Sequence, residues 1–226
     1  MKLTALLLNL LMILTLTGCG AKPAESEAPS VSESTPQTEQ TPQTPDDTSS
    51  ESSSETESAP ESAQQGVTAV VYFSATGTTQ RVALEIAQQC GADVFEITPQ
   101  EEYTADDLDY GNDSCRANAE MNDPDARPAI SGDLSAVSGY DTVILGYPIW
   151  WGTAPRIVQT FMDSCDLGGA EVYTFCTSGS SGVERSLSDL REYYPEVNIV
   201  SGKRFGSGAS AQDISAWLSE AGIAQQ

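Results

Sequence analysis

The sequence predicts an α/β domain with an open parallel sheet flanked by helices. Three observations carry this. Short, continuous apolar runs recur with longer helical periods between them, the pattern of alternating strands and helices. Several of those runs end directly in loops rich in Gly, Pro, Ser or Thr. The chain that carries them, from Gly66 to Gln226, is long enough for one hydrophobic core and too short for two ordinary domains.

The elements follow in order. Val67 to Phe73 reads as a buried strand, and Thr79 to Gln89 as a helix with Val82, Ala83, Ile86 and Ala87 on its apolar side. Asp93 to Ile97 is a short second strand. Between Thr98 and Asp141 the pattern weakens: Thr104 to Asp107 has the form of a capping box opening a helix, which Gly111 interrupts before Ala117 to Met121. Asp141 to Tyr147 is a third strand ending at Pro148, and Pro155 to Ser164 the next helix, with proline in its first turn. Glu171 to Cys176 is the fourth strand, Val183 to Tyr193 a helix, and Val197 to Gly202 the fifth strand. Ala211 to Ala221 closes the chain as a helix whose start is marked by Ser210 and Asp213.

Two segments precede this domain. Lys2 followed by the apolar run Leu3 to Leu16 has the form of an export signal too short to span a bilayer. The run closes on Leu16-Thr17-Gly18-Cys19, which resembles the bacterial lipobox, so residues 1–19 are expected to be a lipoprotein signal with Cys19 as the acylated residue. Acylation at Cys19 implies an extracytoplasmic protein held to a bacterial membrane through its lipid alone. Residues 20–65 are rich in Ser, Thr, Pro and Glu, contain no aromatic residue, and are expected to be a disordered tether. As a flexible coil such a tether reaches roughly 35 to 40 Å.

Charge and composition exclude several functions. From Val67 onward the chain holds 8 Lys and Arg against 23 Asp and Glu, which disfavours nucleic acid and suits a basic protein partner. There is no histidine anywhere, which removes Ser-His-Asp and Cys-His catalysis, and no zinc site of the usual kind is expected. Cys90, Cys115, Cys165 and Cys176 show no C-x-x-C spacing, and no disulfide pairing can be assigned.

Ligands of open parallel sheets sit outside the strand C-termini, so the segments after the first, third and fourth strands are the candidate site. Ser74-Ala75-Thr76-Gly77-Thr78-Thr79 places four hydroxyls around a glycine at the start of a helix. Backbone amides and the positive helix end there can cradle a phosphate without a lysine. No Walker loop and no G-x-G-x-x-G accompanies it, which counts against nucleoside triphosphates and Rossmann dinucleotides. Tyr147-Pro148-Ile149-Trp150-Trp151-Gly152 sets three aromatics where the chain leaves the sheet, suited to a planar ring. Thr177-Ser178-Gly179-Ser180-Ser181-Gly182 offers amides and hydroxyls for the polar edge of such a ring.

Together, in this order, these segments resemble the flavodoxin family. Its phosphate loop has the form Ser/Thr-x-Thr-Gly-x-Thr, matched by Ser74 to Thr79. The likeness is nearest to short-chain flavodoxin-like proteins with G-Y-P-x-W-W-G-T after the third strand, matched by Gly146 to Thr153, and C-T-x-x-x-S-G after the fourth, matched by Cys176 to Gly182. The resemblance implies a three-layer, doubly wound, five-stranded parallel sheet of order 2-1-3-4-5 over residues 66–226. It also implies FMN, with its phosphate at Ser74 to Thr79 and its ring between the later loops, and electron transfer to a redox protein partner. One departure stands out: Ser178 to Gly182 lacks the aromatic residue that stacks on the flavin in well-known members. An NAD(P)H-dependent quinone or flavin oxidoreductase on the same fold, for which Arg156 and Arg185 are the candidate cofactor-phosphate ligands, is the alternative. A non-redox binding module is the second.

Overall fold

The computed structural model describes residues 67–226; the expected signal, the Cys19 acylation site and the expected tether lie outside the described residues. Five strands form one parallel sheet: β1 (Thr68–Tyr72), β2 (Asp93–Glu96), β5 (Thr142–Pro148), β6 (Glu171–Thr177) and β7 (Asn198–Phe205). Their order is β2-β1-β5-β6-β7, which is 2-1-3-4-5 when the strands of this sheet are counted alone, as expected. β1 and β5 read as apolar runs, and β6 as one interrupted by Thr174, because helices cover both their faces.

The period-two alternation of side chains divides the core into two layers. Val70, Tyr72, Ile144, Tyr173 and Phe175 face α1 (Thr78–Cys90) and α5 (Ala211–Ala221), meeting Val82, Ile86, Ile214, Trp217 and Leu218. Val71, Phe73, Val143, Leu145, Tyr147 and Val172 face the opposite layer, which contains α3 (Arg156–Ser164) with Ile157, Val158 and Phe161, and α4 (Glu184–Tyr193) with Leu190. Each such fully buried aliphatic side chain contributes about 1.5–3 kcal/mol. Helix starts follow the residues that marked them: Pro155 is the N-cap of α3, and Ser210 with Asp213 forms a reciprocal capping box on α5. Among the described residues, no helix is long and apolar enough to cross a membrane.

The excursion between the second and third strands of the sheet differs from expectation. The Thr104–Asp107 box is present: the Asp107 amide donates to the Thr104 hydroxyl, and the Asp107 carboxylate accepts from the Thr104 amide at 2.9 Å and hydroxyl at 2.7 Å. It opens only a single 3-10 turn, Asp106–Leu108, and not an α-helix. The chain is then diverted by Asp109, whose carboxylate takes the Gly111 amide and whose carbonyl takes the Asn112 amide. A seven-residue helix, α2 (Arg116–Asn122), follows and buries Ala117 and Met121. The ends of the excursion are closed by a two-stranded antiparallel pair, β3 (Thr98–Pro99) with β4 (Ile130–Ser131), which the sequence pattern does not announce.

Candidate functional site

β1, β5 and β6 deliver the three singled-out loops to one edge of the sheet, where they enclose a cleft of about 400 Å³. Its walls are Ala75, Thr76, Thr78 and Thr79 from the first loop, Pro148, Ile149 and Trp150 from the second, and Thr177, Ser178 and Gly179 from the third. Leu108 and Tyr110 of the excursion and Ser207, just past β7, complete it. That volume falls within the range of about 300–1,000 Å³ usual for small-molecule and cofactor sites.

The first loop combines a glycine turn with the free amides of a helix start. Gly77 is the N-cap of α1 with φ of +83°, a conformation that a side-chain-bearing residue adopts at a cost. A Cβ there meets nothing within 4 Å, so the backbone angle and not space calls for glycine. The Ser74 hydroxyl accepts the Gly77 amide at 3.0 Å and shapes the turn; neither residue itself lines the cleft. Thr78 and Thr79 begin α1, so first-turn amides without acceptors inside the helix stand beside the hydroxyls of Thr76, Thr78 and Thr79. Thr79 is buried and its hydroxyl shares a 2.8 Å hydrogen bond with that of Thr177, fastening the first loop to the end of β6.

The second loop does something the sequence alone did not foretell. Trp150 and Thr153 exchange both backbone hydrogen bonds at 3.0 Å around Trp151 and Gly152, whose φ values are +46° and +86°. Two positive φ values mark a type I′ turn, which favours glycine at both central positions and holds Trp151 at a cost of about 1–2 kcal/mol. Consecutive aromatics are thereby parted. Trp150 is 3% exposed, edge-on to Phe73 at 5.6 Å and to Tyr103 at 5.1 Å, and reaches only part of the cleft wall. Trp151 is 37% exposed at the turn tip, outside the cleft lining, and lies against Tyr110 with ring centroids 4.7 Å apart. Tyr147 is fully buried in the layer of α3 and α4, its hydroxyl 3.1 Å from that of Ser186, so it supports the floor and does not face the cleft. Gly152 lies under Arg185, and Gly182 beside the Glu184 carboxylate; neither reaches the lining.

Among the described residues, no charged side chain lines the cleft. Arginines instead brace its rim: Arg204 donates to the Ser178 and Gly179 carbonyls at 2.9 and 3.3 Å, and Arg81 to the Ser207 and Ala209 carbonyls at 3.0 and 3.1 Å. The two arginines weighed as phosphate ligands sit elsewhere. Arg156 is 8% exposed and donates to Gln159 and to the Met121 carbonyl, which commits it to the junction of α2 and α3. Arg185 extends toward solvent, 3.8 Å from Asp189.

Leu108, Tyr110 and Ser207 are the cleft residues that sequence reasoning missed. Ser207 carried a usable signal, because it follows the C-terminus of a sheet strand, where ligands are expected. Tyr110 carried none: like Tyr103, it stands in an acidic, aperiodic stretch.

The fold defines a doubly wound α/β protein with a candidate site in the cleft at the ends of the central strands. The chain belongs to the flavodoxin family: the family model described as flavodoxin matches residues 67–221. Two solved structures assigned to the flavoproteins are similar to it, one from Bacteroides eggerthii and one from Bacteroides uniformis. The first is 40% identical, with a TM-score of 0.67, over 70% of this chain and 99% of its own. The second is 41% identical, with a TM-score of 0.64, over 69% of this chain and 99% of its own. A Lactobacillus acidophilus flavoprotein in complex with FMN shares the fold at 21% identity and a TM-score of 0.54, over 67% of this chain and 98% of its own. No curated protein matches the chain.

Proposed function

We propose that this protein binds FMN and carries electrons between protein partners while tethered outside the cytoplasm by a lipid on Cys19. The observation that carries the cofactor reading is the division of the cleft. One part is hydroxyls and helix-start amides at Thr76, Thr78 and Thr79, and the other is apolar surface from Leu108, Tyr110, Pro148, Ile149 and Trp150. A molecule with a phosphate on a short chain at one end and a large planar ring at the other fits that division. The phosphate is met by amides, hydroxyls and the α1 dipole, without a basic side chain in the lining. Thr177, Ser178 and Gly179 are left for the polar edge of the ring.

Bound FMN supplies the electron chemistry, and the chain supplies binding, orientation and exclusion of water. Among the described residues, the lining holds no carboxylate, thiol, amine or imidazole, so none of its side chains is suited to general acid or base work near neutral pH. The commitment of Arg156 to the Met121 carbonyl takes one candidate cofactor-phosphate ligand away from the reductase reading. The excess of acidic residues suits a basic redox partner.

The test is a visible absorption titration of the purified protein with FMN and with riboflavin, followed by stepwise anaerobic reduction. Tight FMN binding, weaker riboflavin binding and accumulation of a one-electron form are expected. Equal affinity for FMN and riboflavin overturns the cradle at Ser74 to Thr79, absence of binding overturns the cofactor, and direct two-electron bleaching by NADH or NADPH overturns the carrier. Loss of radiolabelled palmitate from the protein on Cys19→Ser is expected, and retention of label overturns the anchor.

A further inference from the structure

The strand-end loops were expected to supply the aromatic surface for the planar end of the ligand, yet none of their aromatics presents a free face to the cleft. Tyr147 is beneath the floor, Trp150 is packed edge-on between Phe73 and Tyr103, Trp151 stands outside the lining, and Thr177 to Gly182 contains no aromatic. One aromatic remains at the cleft with most of its surface uncovered: Tyr110, 59% exposed.

We propose that Tyr110, delivered by the excursion between β3 and β4, is the stacking wall for the ring of the bound flavin, with Trp151 as its backing. This rests on the FMN reading above. Two local devices set Tyr110 in place. The Thr104–Asp107 box limits the preceding segment to a single 3-10 turn ending at Leu108, itself a cleft residue. The Asp109 turn then satisfies the Gly111 and Asn112 amides without using the tyrosine side chain. The Tyr110 ring therefore serves no backbone closure, and its aromatic contact is Trp151, at 4.7 Å and 38°. Trp151 is held there in a left-handed backbone conformation that asparagine or glycine would adopt more cheaply. A tyrosine backed by a tryptophan, open toward an apolar cleft, gains buried area and quadrupole attraction when a planar ring covers it. The excursion thereby supplies the stacking surface that the third loop lacks.

The test uses the purified full-length protein with Tyr110→Ala, Tyr110→Leu and Tyr110→Phe, titrated with FMN and riboflavin. Stacking acts on the ring common to both ligands, so Tyr110→Ala is expected to weaken both by a similar factor, about tenfold. Tyr110→Leu keeps apolar contact and is expected to weaken both by about threefold, and Tyr110→Phe to keep the wild-type affinity. At saturation, flavin fluorescence is expected to be stronger in Tyr110→Ala than in wild type, because a stacked tyrosine quenches the excited ring. Wild-type affinities and unchanged fluorescence in both Tyr110→Ala and Tyr110→Leu overturn the inference and leave the FMN reading standing. A wild-type protein that binds neither ligand overturns the FMN reading and the inference together.

Discussion

Thr79, in the first turn of α1, and Thr177, the last residue of β6, are joined through their hydroxyls at 2.8 Å across 98 residues of sequence. Both are buried, and both line the cleft. The bond couples the first loop to the third, so two walls of the cleft are positioned by one contact.

Replacing one member leaves the other hydroxyl buried without its partner, and this costs more than the bond itself contributes. Thr79→Val and Thr177→Val are each expected to destabilise the domain by about 1–3 kcal/mol. The double variant is expected to lose less than the sum of the two, because no orphaned hydroxyl remains. Urea unfolding of the four proteins measures this, and strict additivity would show that the two hydroxyls are not coupled.

Gly146 on β5 stands opposite Phe175 on β6 in the sheet register. A Cβ at Gly146 would overlap the Phe175 ring, which itself packs toward Phe205 and Trp217 and cannot easily withdraw. Gly146→Ala is expected to cost about 2–3 kcal/mol, the upper part of the usual overpacking range, and to lower the melting temperature by about 5–10 °C. Adding Phe175→Leu is expected to recover part of that loss. A melting temperature unchanged by Gly146→Ala would refute the close approach of ring and strand.

The parts of this fold legible in the sequence are those whose burial repeats. β1, β5 and β6 are covered on both faces, so their runs are apolar, interrupted in β6 by Thr174, and α1 shows its buried side at Val82, Ala83, Ile86 and Ala87. The Ser210–Asp213 signal was also sufficient, because α5 continues beyond it with Ile214, Trp217 and Leu218 on one side. The Thr104–Asp107 signal has the same chemistry and a different outcome. Behind it Asp109 and Gly111 turn the chain before a second helical turn can form. The β3–β4 pair has two residues in each strand, too few for any period to show. At the site, the residue types were readable and their directions were not. Trp150 and Trp151 are adjacent letters, yet the turn between Trp150 and Thr153 sends one into the core and the other to the surface.

The α5 capping box has a pH signature. Asp213 accepts from the Ser210 amide at 2.9 Å and hydroxyl at 2.7 Å, and these bonds hold its carboxyl below the ordinary value of 3.8. A carboxyl depressed in the folded state contributes stability that is fully present above its unfolded value and disappears as pH falls through the folded value. Asp213→Asn is therefore expected to be less stable than wild type at pH 6, with the difference closing below about pH 4. Denaturant unfolding at pH 6, 4 and 2.5 reads this out, and a difference that stays constant across the series would assign the loss to packing.

The four thiols of the domain, Cys90, Cys115, Cys165 and Cys176, are free and buried, in four different places of the fold. Burial opposes the thiolate, pushing Cys90 up to about 11 and Cys176 up to about 12, the latter against the pull of Arg204. The thiolate is the reactive species, so both side chains are expected to be inert toward a disulfide reagent such as DTNB at pH 8 in the folded protein. All four are expected to react at once when guanidinium chloride unfolds the chain. The same shifts set an alkaline limit. An acid whose folded value lies above its ordinary value, here 9.0, gives stability that is present below that value and lost as pH rises toward the folded one. Stability is thus expected to fall between about pH 9 and pH 12, and less steeply in Cys176→Ala than in wild type. A thiol that reacts within seconds in the folded protein at pH 8 would locate an opening motion near its strand or helix. Reaction at Cys176 would place that motion next to the third loop, since Cys176 immediately precedes Thr177.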